Sequence, residues 1–278
     1  MKKKIISLCL VVALGATAVI GGTLAYFTDT DKATNTFTSG NVKIEQYEKD
    51  RNGDDFDQGQ KLMPIVDDAK DPNGYHTGAN YIDKIVTVKN TGTEDAYIRT
   101  YLAFPAALDD GPTTFDAGKN ILHWNGASAN DTFGAANWGG DIENDWYFGT
   151  STKTDWPGAA NAGETNKGWN FFQTTVGGVM YNVYVATHGS IVEAGKTTAP
   201  NLFGLYLDKD IDFNGEKYVD QDGKVIDFDL TNTQVLVVSE AVQAEGFDTT
   251  NADVAFYALD KAFGAVGTYC PFGGEIVK

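Results

Sequence analysis

From Val179 to Thr187 the chain alternates, with Val179, Tyr181, Val183 and Val185 on one side. Successive side chains of an extended strand point to opposite faces, so this is the pattern of a half-buried β-strand. Related signals recur along the sequence. Segment 41–48 opens with the same alternation, and Ile82 to Lys89, Ala96 to Phe104 and Thr233 to Val238 are strand-like. Leu202 to Leu207 is apolar on both faces, as expected of a central strand. Glu216 to Val219 and Lys224 to Leu230 flank Asp222-Gly223, a short hairpin signal. The stretch Asn90-Thr91-Gly92-Thr93-Glu94-Asp95 reads as a longer hairpin connection between its flanking strands. One helix is expected: Val254, Ala258, Leu259 and Ala262 form an apolar face, Asp248, Thr249 or Thr250 would cap it, and Gly264 would stop it. Strands dominate without a regular βαβ alternation, which favours an all-β sandwich over a parallel sheet.

Residues 106–176 depart from this pattern. They are rich in Gly, Ala, Asn and Asp, and all five tryptophans of the chain, Trp124, Trp138, Trp146, Trp156 and Trp169, lie among them. Long loops without structure are uncommon in compact domains. The segment is therefore expected to be a long Trp/Gly-rich insertion folded as a subdomain over one end of the sandwich.

The start of the chain reads as an address. Lys2, Lys3 and Lys4 precede an apolar run from Ile5 to Ile20, followed by Gly21, Gly22, Thr23, Leu24 and Ala25. This is the layout of a secretory signal peptide, and the run is short for a membrane anchor. Its removal takes three lysines and no acids, deepening the net charge from −17 to −20. Such an acidic surface repels polyphosphate, so nucleic-acid binding is not expected. Cys9 leaves with the signal, and Cys270 alone permits no disulfide within the mature chain.

The junction Gly21-Gly22-Thr23-Leu24-Ala25-Tyr26-Phe27-Thr28-Asp29 resembles the signal processed by SipW-type signal peptidases of Gram-positive bacteria. Three further segments resemble their clients, the TasA and camelysin family of biofilm matrix proteins. They are Thr36 to Ile44, Val86 to Gly92 followed by Asp95 to Arg99, and Val242-Gln243-Ala244-Glu245-Gly246-Phe247. The small-residue rule favours cleavage after Ala25, and the family pattern favours cleavage after Tyr26. The resemblance implies a jelly-roll-like sandwich spanning residues 27–278 after a signal at 1–26. It also implies a secreted protein of the extracellular matrix or cell surface that self-associates into fibres, alongside other matrix proteins or polysaccharide. The implied mechanism is donation of an N-terminal strand to a neighbouring subunit, carried by Phe27, Thr28 and Phe37 and continuing to Val42 and Ile44. Strand addition draws affinity from backbone hydrogen bonds while side chains fill pockets. The alternative is a first strand that pairs within its own sheet.

Catalytic constellations are scarce. Camelysin-like relatives are described as metal-dependent peptidases, but a zincin needs His-Glu-x-x-His on a helix, and His76, His123 and His188 are far apart in sequence. No Gly-x-Ser-x-Gly elbow is present either. The chain is thus expected not to be an enzyme. Calcium is the one cofactor suggested. Asp50, Asn52, Asp54 and Asp57 place oxygens at spacings used by calcium loops, although Asp55 and Lys61 stand where an EF-hand needs Gly and Glu. Asp208, Asp210 and Asp212 make a second acidic cluster. Both clusters can equally be solvated loops. Trp138, Trp146 and Trp156 would stack on a glycan or meet a host protein if exposed, or form a local core if buried.

Overall fold

The structure is a computed structural model that describes residues 34–35, 42–57, 60, 62–66, 77–109, 111, 121–124, 145–149, 170–228, 234–251 and 253–277. Its strands are β1 (Thr34–Asn35), β2 (Ile44–Lys49), β3 (Ile82–Asn90), β4 (Ala96–Pro105), β5 (Leu122–Trp124), β6 (Trp146–Tyr147), β7 (Phe171–Val176), β8 (Val179–His188), β9 (Leu202–Leu207), β10 (Asp212–Phe213), β11 (Tyr218–Val219), β12 (Leu236–Gln243) and β13 (Glu275–Val277). The one helix described, α1, spans Val254–Phe263. A seven-stranded sheet runs β1-β12-β4-β8-β7-β13, with β6 also on β8. A four-stranded sheet runs β2-β3-β9-β5, and β10 pairs with β11 in a separate hairpin. Every pairing is antiparallel except β1 with β12. The fold is an all-β sandwich.

Alternation builds the layers. The inner faces of β4 and β8 supply Ile98, Leu102, Phe104, Tyr184 and Ala186, and these pack on Ile44, Val86, Val88, Leu202 and Leu205 of the other sheet. The opposite face of the larger sheet is also covered. Tyr97 and Val242 meet Val254, Ala255, Ala258 and Leu259 of α1. Tyr101, Tyr181, Val183 and Val185 meet Val266, Tyr269, Cys270 and Phe272 of the C-terminal segment. A strand apolar on both faces belongs between two layers, and β4 is buried along all ten of its residues.

One side chain pins the third layer. Arg99 of β4 is 1% exposed and points to the outer face. Its Nε donates to Glu240 Oε2 at 3.1 Å, its Nη1 to Asp260 Oδ1 at 3.0 Å, and its Nη2 to the Gly264 carbonyl at 3.1 Å and the Tyr269 hydroxyl at 3.2 Å. The Tyr269 hydroxyl also bonds Glu240. The guanidinium therefore ties β12, α1 and the C-terminal segment to β4 with charge-assisted bonds.

Several expectations change here. Residues 90–95 do not close a hairpin, because β3 and β4 lie in different sheets. The segment carries the chain across the sandwich. Buried Asn90 braces it, donating Nδ2 to the Glu94 and Val192 carbonyls and accepting the Gly92 amide. The insertion also needs correction. Within residues 106–176, β5 extends the four-stranded sheet, and β6 and β7 pair with β8. Trp124 stacks on Phe104 at 4.7 Å in the central core. The strands described within 106–176 thus belong to the two sheets, while residues 110, 112–120, 125–144 and 150–169, the larger part of the expected insertion, lie outside the described residues. The helix begins with Asp253 in the capping position and no side-chain cap bond. Asp248 instead accepts the Thr250 amide in a turn of its own.

Removing the Arg99 guanidinium leaves Glu240 buried without its cation. Arg99→Met is expected to cost about 3–5 kcal/mol, the usual consequence of breaking a buried pair from one side. Urea denaturation of the variant against the parent chain measures it; a loss no larger than that of an exposed-site control would contradict the pin.

Candidate functional site

The candidate site is the edge of β12. This strand pairs with β4 along all eight of its residues. On its other side, among the described residues, only Glu240 and Ala241 have strand partners, Thr34 and Asn35 of β1. Yet β12 is held as firmly as a central strand. Ala241 and Val237 face the inner core. Ser239 Oγ donates to Gln46 Oε1 of β2 at 2.8 Å, and Thr100 Oγ1 lies 2.8 Å from Ser239 Oγ. On the outer face Glu240 joins the Arg99 cluster. Burial pushes the Tyr269 phenol up to about 12 and raises Tyr101 as well, so both remain neutral donors beside Glu240. Where no described strand pairs with it, the edge of a long buried strand presents a row of backbone donors and acceptors, which is what strand addition requires.

Three segments that carry the family resemblance make backbone contacts in pairs at one end of the sandwich. The Lys43 carbonyl accepts the amides of Thr91 and Gly92, and the Ala244 amide donates to the Asp95 carbonyl at 2.8 Å. Residues distant in sequence thereby build one end of the sandwich, where β12 ends.

The sequence-based assembly residues divide. Phe27, Thr28 and Phe37 lie outside the described residues. Val42 packs against the core and Ile44 is 1% exposed within β2, which pairs with β3 of the same chain. Val42 and Ile44 therefore belong to the chain's own sandwich and are not part of a donated strand. The structure places Thr34 and Asn35, residues the sequence did not single out, on the β12 edge.

The acidic clusters are turns. Asp50 Oδ1 accepts the amides of Asn52 at 2.8 Å and Asp54 at 2.9 Å, while the Gly53 amide returns to the Asp50 carbonyl. Asp220 does the same, accepting the amides of Asp222 and Lys224, with the Gly223 amide on its carbonyl. Gly53 and Gly223 both have positive φ, 86° and 76°. The pattern Asp-x-Asn/Asp-Gly thus serves a tight reversal: the first carboxylate satisfies backbone donors, and glycine adopts the left-handed step. Although burial works to raise the Asp50 pKa, the amides of Asp54, Asn52 and Gly53 and the Asn52 side chain together hold it below its usual range. Among the described residues no His, Cys, Asp or Glu cluster forms around Asp54, and Asp57 follows in exposed coil. In the second cluster Asp208 Oδ2 bonds His123 Nε2 at 3.0 Å and its Oδ1 accepts the Asp210 amide. Asp210 pairs with Lys209, and Asp212 accepts the Phe213 amide. Among the described residues, no group of three or more His, Cys, Asp or Glu converges to hold a metal. The calcium expectation therefore finds no cage at Asp50, Asn52, Asp54 and Asp57, or at Asp208, Asp210 and Asp212.

Trp146 does not offer a face to a glycan. It is 3% exposed, and its indole donates to the Ala199 carbonyl at 2.8 Å. Trp138 and Trp156 lie outside the described residues, as does His76. The other histidines sit on different sheets. His123 stacks on Tyr206 at 4.9 Å beside Asp208, and His188 Nδ1 lies 2.9 Å from the Ser190 carbonyl. Burial, the largest influence, holds His188 below its ordinary pKa against that contact and Asp145.

Fold and edge together define a class: an all-β sandwich whose larger sheet ends, but for the two residues of β1, in a long buried strand. Residues 1–62 match the family model described as camelysin metallo-endopeptidase. The matched stretch takes in residues 21–29 and Thr36 to Ile44, two of the segments that carry the resemblance to the TasA and camelysin family. No curated protein matches the chain.

Two outcomes follow. If Asp50 works as a turn acceptor, Asp50→Asn should keep the thermal midpoint and Asp50→Ala should lower it, because only the oxygen is required; equal losses in both would show that the charge matters. Asp208 gives a pH signature. Burial alone would raise its pKa, but the His123 bond, the Asp210 amide and Lys209 lower it overall. Its stabilising contribution is present above the unfolded value of about 3.9 and is lost as pH falls through the lower folded value. An acid titration followed by circular dichroism should therefore show a shallower loss of stability in Asp208→Asn than in the parent as pH falls from about 3.9 towards the lower folded value; parallel curves would contradict the assignment.

Proposed function

We propose that this chain is a secreted structural subunit that assembles into extracellular fibres of a bacterial matrix. The observation that carries this reading is the β12 edge: a strand buried on both faces and fixed by Arg99 and Gln46, with a parallel partner at two residues among those described. Signal removal by a SipW-type peptidase after Ala25 or Tyr26 would free a short N-terminal arm. Residues 27–40 would then add to β12 of the next subunit in the parallel sense that Thr34 and Asn35 already take within one chain. A head-to-tail contact of this kind does not close on itself, so its repetition gives a filament. Matrix proteins and polysaccharide are its expected companions, at the surface of a Gram-positive cell. The role is non-enzymatic in this reading.

The description of the matched family favours a second reading, a metal-dependent peptidase. Chelator-sensitive cleavage of casein by the purified mature chain would support it over the first.

Electron microscopy of the mature protein, with residues 27–40 present or deleted, separates the alternatives. Filaments from the intact chain and none from the deletion are expected. Filaments that persist after deletion would overturn strand donation, and no filaments from either would overturn the fibre reading itself.

A further inference from the structure

The sequence contains four Asn-Gly dipeptides, at 52–53, 73–74, 125–126 and 214–215. Asn73 and Asn125 lie outside the described residues. The other two occupy exposed turns, and their reactive groups are held in opposite ways.

Asn-Gly is chemically labile because the glycine amide nitrogen can reach the asparagine side-chain carbon with no side chain in its path. In the reaction the Gly nitrogen forms a bond to Asn Cγ, the Cγ–Nδ2 bond breaks, and Nδ2 leaves as ammonia with the proton from the Gly amide. The product is a cyclic succinimide. Water then opens either of its two carbonyls. One opening gives aspartate; the other gives isoaspartate, in which the main chain runs through the former side-chain carbon. No oxidant or reductant takes part, and water is the only co-reactant.

At Asn52 both ends of this reaction are tied down. The Gly53 amide, which would be the nucleophile, donates to the Asp50 carbonyl at 3.1 Å. The leaving group, Asn52 Nδ2, donates to Asp50 Oδ2 at 3.2 Å. Asp50 is itself fixed by the amides of Asn52 and Asp54. Cyclisation would have to break the turn.

At Asn214 the arrangement is reversed. Asn214 Oδ1 accepts the Glu216 amide at 3.0 Å and the Lys217 amide at 2.9 Å. Two donors therefore point at the oxygen on which negative charge develops when Cγ is attacked, the arrangement that stabilises a tetrahedral intermediate. Among the described residues the Gly215 amide has no backbone acceptor, so the nucleophile is free. Gly215 has a φ of +98°, and an added Cβ there would meet nothing within 4 Å. Solvent can reach both the leaving group and the succinimide.

We propose that Asn214 is a site of spontaneous modification, converting to aspartate and isoaspartate while Asn52 is protected by its own turn. The change falls where the β10–β11 hairpin reverses. Phe213 pairs with Tyr218 across it, their rings 5.3 Å apart. Isoaspartate adds a methylene to the backbone of that reversal and draws the oxygen that Glu216 and Lys217 use into the main chain as a peptide carbonyl. Aspartate instead adds a negative charge beside Asp212 and Glu216. Either product loosens or recharges an exposed arm without touching the sandwich.

The test is incubation of the full folded chain in mildly alkaline buffer, followed by trypsin and mass spectrometry. Cleavage separates the sites cleanly, into Asn52–Lys61 and Asp210–Lys217. The Asp210–Lys217 peptide should gain the mass of an amide-to-carboxyl exchange, and isoaspartate, several-fold faster than Asn52–Lys61. In urea the two rates should become similar, and Asn214→Gln should abolish the signal in its peptide. Equal rates in the folded chain, faster change at Asn52, or a difference that survives unchanged in urea would each overturn the proposal. The last outcome would assign the preference to local sequence and not to the fold.

Discussion

The Arg99 cluster is the constraint on which the rest depends. A central sheet must bury both faces, and the inner face alone is served by the four-stranded sheet. The outer face carries Tyr97, Tyr101 and Val183, which would stand in water without α1 and the C-terminal segment. Those elements come last in the chain and contribute few strands. A buried guanidinium with four acceptors fixes where they dock. Buried charge is a costly way to gain stability, and its better-attested use is to specify a unique arrangement. In this fold the arrangement has a consequence for β12, because Glu240 is both a partner of Arg99 and the residue opposite Thr34.

The edge strand is therefore unusual in a physical sense. Edges are commonly blunted by charge, proline or short length. β12 has eight residues, seven of them buried, and no proline. Its own β1 covers two positions. Net charge opposes association between copies of a chain this acidic, so in the proposed assembly the contact would have to come from directional backbone bonds. An acceptor held rigid on three sides loses little entropy when a strand arrives, and the incoming arm bears most of the ordering cost.

Much of the fold was legible in the sequence because alternation reports burial directly. Val179 to Thr187 shows its strand by alternation, Leu202 to Leu207 by being apolar on both faces, and the helix by an apolar face that ends before Gly264. Other features escaped because they depend on partners distant in sequence. Asn90 to Asp95 carries the turn chemistry of a hairpin, and only the pairing of β3 with β2 and β9 shows that it crosses between sheets. Trp124 and Trp146 sit in stretches of weak periodicity, since strands of three and two residues are too short to establish one. The calcium-like spacing at Asp50 misled for a chemical reason. An oxygen that ligates a cation and an oxygen that accepts two amides are the same oxygen, and glycine suits both loops. The β12 edge leaves no signal in the sequence, because which strand ends a sheet is set by pairing and not by composition.

The most direct test of the central claim is where β1 sits in the assembled state. Mature chains carrying Asn35→Cys are mixed with chains carrying Ala241→Cys, both in a Cys270→Ser background, and allowed to assemble before oxidation. Strand donation onto β12 makes these two positions neighbours in different subunits, as they are Cα partners within one chain. A disulfide-linked dimer between the two variants, formed in filaments and absent from dispersed monomers, is the expected result. Filaments that assemble normally and yield no such link would contradict the account.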